Sequence, residues 1–333
     1  MRILVTGGAG FRGSAVCRYL VGERAASVLN IDKLTARSSL ASIDPIAASP
    51  RYSSRRADIC DRQRMAALVQ AFEPDAIFQL AGEPRLPGAQ SVAAGVIDRD
   101  TIGSWSMLAA ATDYWSTLAG PRRDRFRFLQ VSRGAEAPAD RLAMNWHRTY
   151  GLPVMIARSA MVFGPCQPLD EVVPQLVLSA SRGLPMAVEG DGAQQANWLH
   201  VDDHARALDA MLARGTPGTV YAVGAGRQHT DLAVAGMIAK AMDRYARADA
   251  PHADRIMLVA NAPAQVLRHA VDPSQLERDT GWRASEALAT ALARTAHWYL
   301  DNAAWWRPLQ DARIDSRIMG LDDSAAAILR KSA

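Results

Sequence analysis

The chain has 333 residues, 49% of them hydrophobic and 22% charged, with a net charge of +4; these are globular values, and the length is enough to bury one large core or two smaller ones. The basic residues are scattered apart from short clusters at 51–56 and 122–127, which read as solvated surface and argue against a nucleic-acid partner. No apolar run approaches the ~18 residues of a membrane span, the first strand starts at Arg2 with no room for a signal segment, and the scattered Cys17, Cys60 and Cys166 offer no zinc or disulfide framework, so a cytoplasmic protein without metal or membrane partners is expected.

Taken in chain order, residues 2–6 (RILVT) form a short apolar run, followed by a glycine turn and an apolar-periodic stretch at 14–21. That is strand, turn, helix. A second strand is expected at 27–32 (SVLNID), a helix at 66–72 and a strand at 76–80 (AIFQL). One long helical pattern covers 92–118, and a strand covers 126–131. The helix at 140–150 stops at Gly151 and leads into a strand at 154–157. Tyr150, at the end of that helix, reads as a core residue. Alternating strands and helices predict an α/β fold, a Rossmann-type doubly wound parallel sheet covered on both faces. The expected domains are 1–160, with a returning strand segment near 196–224, and a smaller mixed α/β substrate-binding unit at 161–333. The tail from residue 303 carries Trp305, Trp306, Ile314, Ile318, Leu321, Ile328 and Leu329. Their spacing suits amphipathic helices that either cover a pocket as a lid or pack on the domain.

The glycine turn carries the first chemistry. Gly7, Gly10 and Gly13 stand three apart in TGGAGFRGS, after a strand and at the start of a helix. In that context the glycines let the backbone approach a pyrophosphate at the helix N-terminus, with Phe11 and Arg12 between them. Asp32 ends the next strand, where an acid binds an adenosine ribose. A carboxylate there favours NADH, whereas Arg12, Lys33 and Arg37 could neutralise a 2′-phosphate. NADPH and NADH both stay open, with a lean toward NADPH.

Longer motifs accompany the turn: MRILVTGGAGFRGSAV at 1–16, ADICDRQRMA at 57–66, PDAIFQLAGE at 74–83, RTYGLP at 148–153, VFGP at 162–165, WLHVDDHARAL at 198–208 and TGW at 280–282. Through them the chain resembles the extended short-chain dehydrogenase/reductases, and among these the dTDP-glucose 4,6-dehydratases. The resemblance implies that Asp58 and Ile59 edge the adenine, that Leu80, Ala81 and Gly82 pass beneath the cofactor, and that Val131 lies near it. It also implies a homodimer paired through the helices at 92–118 and 140–150.

The departures gather in the substrate chemistry. The family's Tyr-x-x-x-Lys pair is missing, since no tyrosine here has a lysine four residues on. Of the segment before it only Ser132 remains, followed by Arg133, Gly134 and Ala135. Glu83 is followed by Pro84, Arg85 and Leu86 in place of a polar stretch. Met161 and Val162 replace asparagines. Gln195 or Ala196 replaces an arginine that grips a pyrophosphate, and Val266 and Leu267 replace a polar run. Burying two phosphates without such partners is costly, so a flat, mostly apolar ligand is expected. The expected pocket comprises Glu83, Arg85, Leu86, Met161, Val162, Ala196, His200, Val266 and Leu267. Ser132 is the candidate to hydrogen-bond a carbonyl, with Arg133, Glu136, His147 and His200 as weaker candidates for proton transfer. The resulting expectation is an NAD(P)H-dependent ketoreductase of a polycyclic aromatic, angucyclinone-like polyketide, in which the substrate's own phenol assists the reduction. A non-catalytic NAD(P)-sensing regulator and a sugar-nucleotide enzyme with a rearranged site are the alternatives.

Overall fold

The computed structural model describes residues 1–35, 37–82, 93–132, 137–246, 249–260 and 271–318, with backbone alone at 93–98 and 311–318. The first half runs β1 (Arg2–Thr6), α1 (Phe11–Gly22), β2 (Ser27–Asp32), α2 (Asp44–Ala47), β3 (Tyr52–Arg56), α3 (Arg62–Phe72), β4 (Ala76–Gln79), α4 (Ala93–Thr117), α5 (Gly120–Arg125), β5 (Arg127–Ser132), α6 (Pro138–Tyr150) and β6 (Val154–Ser159). The second half runs β7 (Met161–Phe163), α7 (Val172–Ser181), β8 (Met186–Glu189), β9 (Gln195–His200), α8 (Val201–Arg214), β10 (Val220–Val223), β11 (Gln228–Thr230), α9 (Asp231–Tyr245), β12 (Ile256–Val259), α10 (Ser274–Thr280), α11 (Leu288–Asp301) and α12 (Ala303–Ile318).

Seven strands form a parallel sheet in the order β10-β6-β5-β4-β1-β2-β3. The central strands are buried on both faces, as near-continuous apolar runs require. Alternate residues feed two cores. Ile3 and Val5 meet Val16 and Leu20 of α1 and Leu208 of α8, whereas Leu4 meets Met65 of α3, Met107 of α4 and Ala143 of α6. The arginine cluster at 51–56 belongs to an edge strand, β3, paired with β2. Its Tyr-Ser-Ser-Arg-Arg sequence lacks the apolar pattern of a strand, and edge strands are commonly charged.

Of the returning segment near 196–224, it is β10 that joins the main sheet, beside β6. Strand β9 instead lies in a three-stranded sheet between β11 and β7, and β12 pairs with β8. The second half has its own core, built from Val177 of α7, Ile238 and Met242 of α9, Leu292 and Tyr299 of α11 and Trp306 of α12. A small seam of Ala15, Val162 and Val201, with Phe11 against it, joins the halves.

Helix α6 ends at Gly151, whose φ of +74° suits glycine and whose amide bonds the His147 carbonyl. Tyr150 is 54% exposed and stacks on Trp146, because the buried face of α6 carries Ala139, Asp140 and Ala143 instead. Its expected place in the core is therefore corrected. The tail helix α12 packs on the second half: Trp306 Nε1 donates to the Tyr299 carbonyl, and Trp305 Nε1 reaches Ser42 Oγ at 3.1 Å. Leu321, Ile328 and Leu329, and the side chains of Ile314 and Ile318, lie outside the described residues. Among the described residues no helix is long and apolar enough to cross a membrane, and no His/Cys/Asp/Glu group is arranged to hold a metal.

Candidate cofactor and substrate site

The strand order reverses between β1 and β4, the position at which doubly wound sheets open a ligand crevice. The glycine turn rises from β1 into it. Gly8 N donates to Asn30 Oδ1, Ala9 N to Asp32 Oδ2 at 3.0 Å, and Gly10 N to the Gly7 carbonyl. The first intrahelical bond here runs from Ser14 N to the Gly10 carbonyl. The earlier amides of α1 thus lack an intrahelical acceptor and suit an anion. No acidic side chain stands in that first turn.

Sterics enforce the turn. A Cβ on Gly7, at φ +71°, would lie 2.8 Å from the Ala81 backbone, and one on Gly13 would lie 2.1 Å from the Gly7 carbonyl oxygen. Across the crevice, Thr6 Oγ1 donates to Gln79 Oε1 and accepts from Ala81 N, which fixes the chain leaving β4.

These elements line an open cleft. Its lining includes Gly7, Gly10, Phe11, Arg12, Asp32, Lys33, Arg37, Asp58, Ile59, Leu80, Ala81 and Gly82, together with Met161 and Val162. Gly13 and Val131 are buried behind it. The narrow turn and the amide-rich helix start, in a cleft that Asp32 also lines, fit a dinucleotide.

Asp32 is largely occupied by the protein. Its Oδ1 accepts from Leu34 N at 2.7 Å and from Ser38 Oγ at 3.1 Å, while among the described residues Oδ2 accepts from Ala9 N alone. Asp58 is pushed up by burial. Its bonds from Cys60, with Lys33 and Arg99 nearby, nevertheless hold the carboxyl below the usual range. Arg37 is ion-paired with Asp170 and, at 3.7 Å, with Glu171 of the second half. Arg12 lies close enough to His204 of α8 to help hold that imidazole's pKa down.

The edge formed by β5 and β6 is different. Ser132 is buried at the end of β5, in register with Arg158 on β6. Asp140 lies in the first turn of α6, and among the described residues its Oδ1 has no hydrogen-bond partner. Asp140 is fully buried and takes a 3.2 Å bond from Arg158 Nε. Burial raises the proton affinity of Asp140, while Arg158 and Ser132 pull it back. Next to Arg158, Ser159 Oγ meets His204 Nε2 at 2.8 Å. Burial, aided by Arg12, pushes the His204 pKa down to about 3.

Two expected pocket residues point elsewhere. His200 is buried, its Nδ1 accepts from Asp202 N as the N-cap of α8, and Arg294 approaches it at 3.2 Å. Burial lowers its pKa, so it is a neutral capping group outside the cleft lining. Ala196 packs in the core of the second half beside Trp198. His147 Nδ1 meets the Leu152 carbonyl at 2.7 Å, a structural contact. Glu83, Arg85, Leu86, Arg133, Glu136, Val266 and Leu267 lie outside the described residues.

Residues 4–136 match the family described as GDP-mannose 4,6 dehydratase, and residues 133–224 match the NAD dependent epimerase/dehydratase family. The probable dTDP-glucose 4,6-dehydratase of Sinorhizobium fredii is 36% identical, over 98% of this chain and all of the relative. An Escherichia coli dTDP-glucose 4,6-dehydratase is 32% identical over 96% of this chain and 99% of its own. Among solved structures, the Streptomyces venezuelae dTDP-glucose 4,6-dehydratase with NAD bound superposes with a TM-score of 0.80 at 30% identity, covering 93% of this chain and all of that one. The chain belongs to the dTDP-glucose 4,6-dehydratase-like extended short-chain dehydrogenase/reductases.

Within that family the Sinorhizobium alignment runs over 351 positions against 333 residues here, so the relative has residues without a counterpart in this chain. Sequence reasoning missed Thr35, Ser38, Arg99, Asp100, Gln167 and Glu171, all of which line the cleft. They reach it from loops and from α4, and no local motif marks them. It also missed Asp140, whose burial follows from the pairing of β5 with β6.

Proposed function

We propose that this chain binds NAD in the β1–β4 cleft and carries out oxidoreduction on a nucleoside-diphosphate sugar with a rearranged acid–base group. The observation that carries the reading is the intact glycine turn and Asp32, in a chain that aligns from end to end with dTDP-glucose 4,6-dehydratases. The names of those relatives move the substrate away from the aromatic ketone expected from the apolar replacements. Asp32 favours NAD over NADP, because a 2′-phosphate would face a carboxylate. The turn and the start of α1 would hold the pyrophosphate, and Asp58 and Ile59 the adenine side. When bound, NAD supplies a carbon that accepts a hydride. The exposed Ile102, Trp105 and Tyr150 on α4 and α6 support pairing of two copies.

Calorimetry with NAD and NADP, followed by incubation of the NAD-loaded protein with dTDP-glucose and other nucleoside-diphosphate sugars, tests the reading. Tighter NAD binding and a changed sugar mass are expected. Oxidation of NADPH by polycyclic ketones with no change in any sugar nucleotide would restore the ketoreductase reading. Tight NAD binding without turnover of either class would leave the regulator.

A further inference from the structure

On the reading that the β1–β4 cleft binds NAD, we propose that α12 latches that cleft from behind. Trp305 is a positioning residue: through Ser42 it holds the segment that braces Asp32 and the glycine turn, and it thereby slows NAD release.

Trp305 bridges the two halves. Its ring packs on the second-half core, with ring centroids 5.3 Å from Trp298 and 6.4 Å from Tyr299. Its Nε1 donates across to Ser42 Oγ of the first half at 3.1 Å. The next residue, Trp306, spends its own indole N–H within the second half, on the Tyr299 carbonyl. Adjacent tryptophans thus anchor α12 on one half and join it to the other. An indole carries a single donor, and a partly buried one needs an acceptor.

Ser42 leads straight to the cofactor site. It is buried at the end of the short turn Leu40–Ser42, and its carbonyl accepts from Arg18 Nη1 of α1. Ser42 N donates to the Ser39 carbonyl, and Ser39 N donates to the Ala9 carbonyl at 2.9 Å. Ser38 Oγ donates to Asp32 Oδ1, and Ala9 N donates to Asp32 Oδ2. One segment of five residues therefore touches the ribose acid through Ser38, the glycine turn through Ser39 and α12 through Ser42.

The walls of the cleft agree. Phe11, Arg37, Ser38 and Pro168 line it, and the same four residues line a small hollow that Trp305 and Leu309 of α12 also line. Trp305 and Leu309 are not in the cleft lining itself. Helix α12 backs the wall and does not cover the opening.

The coupling is reciprocal. A dinucleotide resting on Asp32 and the turn favours the position in which Ser42 meets Trp305, and the latched segment favours the dinucleotide. The bond is between neutral groups, so salt leaves it intact, unlike the ion pairs of Arg37.

The test uses the full chain and needs no turnover. Stopped-flow displacement of NAD compares wild type, Trp305→Phe, Ser42→Ala and the double variant. Trp305→Phe keeps a ring and removes the donor, and Ser42→Ala removes the acceptor. Each should release NAD about 2- to 10-fold faster, the scale of one hydrogen bond, at low and high salt alike. The double variant should release it no faster than the faster single variant, because both lose the same bond. Additive effects overturn the proposal. So does a variant that melts earlier than wild type yet releases NAD at the wild-type rate, since Trp305 would then only pack.

Fluorine NMR of 5-fluorotryptophan-labelled protein gives the second readout. The line missing from Trp305→Phe belongs to Trp305. It should shift when NAD is added to wild type and stay in place in Ser42→Ala. A Trp305 line indifferent to NAD overturns the latch. Should Trp305→Phe fail to fold, the release rate of Ser42→Ala decides alone. If wild type holds NADP and not NAD, the same measurements with NADP decide. A wild type that binds neither overturns the cofactor reading and the latch with it, whereas wild-type binding with unchanged variants overturns the latch alone.

Discussion

Two regions along one sheet are built from different materials. Around β1 and β2 the site is made largely of backbone: amides of the glycine turn, carbonyls behind it, and glycines with no room for a Cβ. Around β5 and β6, outside the cleft lining, the polar structure is made of side chains: Asp140 with Arg158, and Ser159 with His204. A backbone site tolerates few residues at each position, because a methyl group collides with main chain. A side-chain site can exchange its chemistry while the strands beneath stay in register, which is how one fold carries different reactions. This chain keeps the former arrangement.

The largest expected effect lies on the backbone side. In Gly13→Ala the new methyl group would sit 2.1 Å from the Gly7 oxygen and 2.8 Å from Gly8 Cα, and none of these atoms is a flexible side-chain end. The turn must open, and NAD affinity measured by calorimetry should fall by about 100-fold or more, in line with the loss of several backbone contacts. Gly22→Ala, at the far end of the same helix with nothing within 4 Å, is the matched control and should bind normally. Equal binding by both variants would break the distinction between the two regions.

Asp32→Asn comes next. It turns one acceptor oxygen into a donor facing Ala9 N or Leu34 N, and it removes the charge that opposes a 2′-phosphate. NAD should bind about 10-fold more weakly, the scale of one charge-assisted hydrogen bond. The NADP-to-NAD affinity ratio should rise. An unchanged ratio would mean that Asp32 only braces the turn.

The same contrast explains what could be read from the residues. The central strands were legible as apolar runs, and the glycine turn as spacing in context. Edge strand β3 was not, because Ser53, Ser54, Arg55 and Arg56 look like loop. Asp140 was not, because DRLAMNWHRTY begins like any helix N-terminus and nothing nearby announces that its acid is buried against Arg158. His200 misled in the opposite direction: a histidine in a conspicuous motif suggested chemistry, yet its ring closes the start of α8. Met161 and Val162 do line the cleft, whereas Ala196 faces the core. Contacts made by strand register or by loops from distant segments leave no local trace.

A smaller effect should come from His204. Its folded pKa lies near 3 against about 6.5 for the unfolded chain. The unfolded state therefore binds the extra proton between these values, and stability falls as pH drops through that window. At pH 5 this amounts to about 2 kcal/mol. His204→Gln keeps a polar group within reach of Ser159 and cannot titrate. Its acid unfolding midpoint, followed by circular dichroism, should move to lower pH. A midpoint that stays in place would show that the imidazole does not reach its buried position uncharged.

The smallest expected effect concerns the clasp between the halves. Arg37 lines the cleft, and its partners Asp170 and Glu171 come from the second half, all of them partly exposed. Exposed ion pairs contribute about 0–1 kcal/mol, and 1 kcal/mol is about a fivefold change. Arg37→Ala should therefore release NAD up to about fivefold faster in a stopped-flow displacement experiment. Added salt should speed release from the wild type and leave the variant nearly unaffected, because screening removes what the substitution has already removed. NADP affinity should fall no further than NAD affinity. A selective loss of NADP would instead show that Arg37 abandons Asp170 for a 2′-phosphate, and the backbone-built region would then owe its cofactor choice to a movable side chain after all.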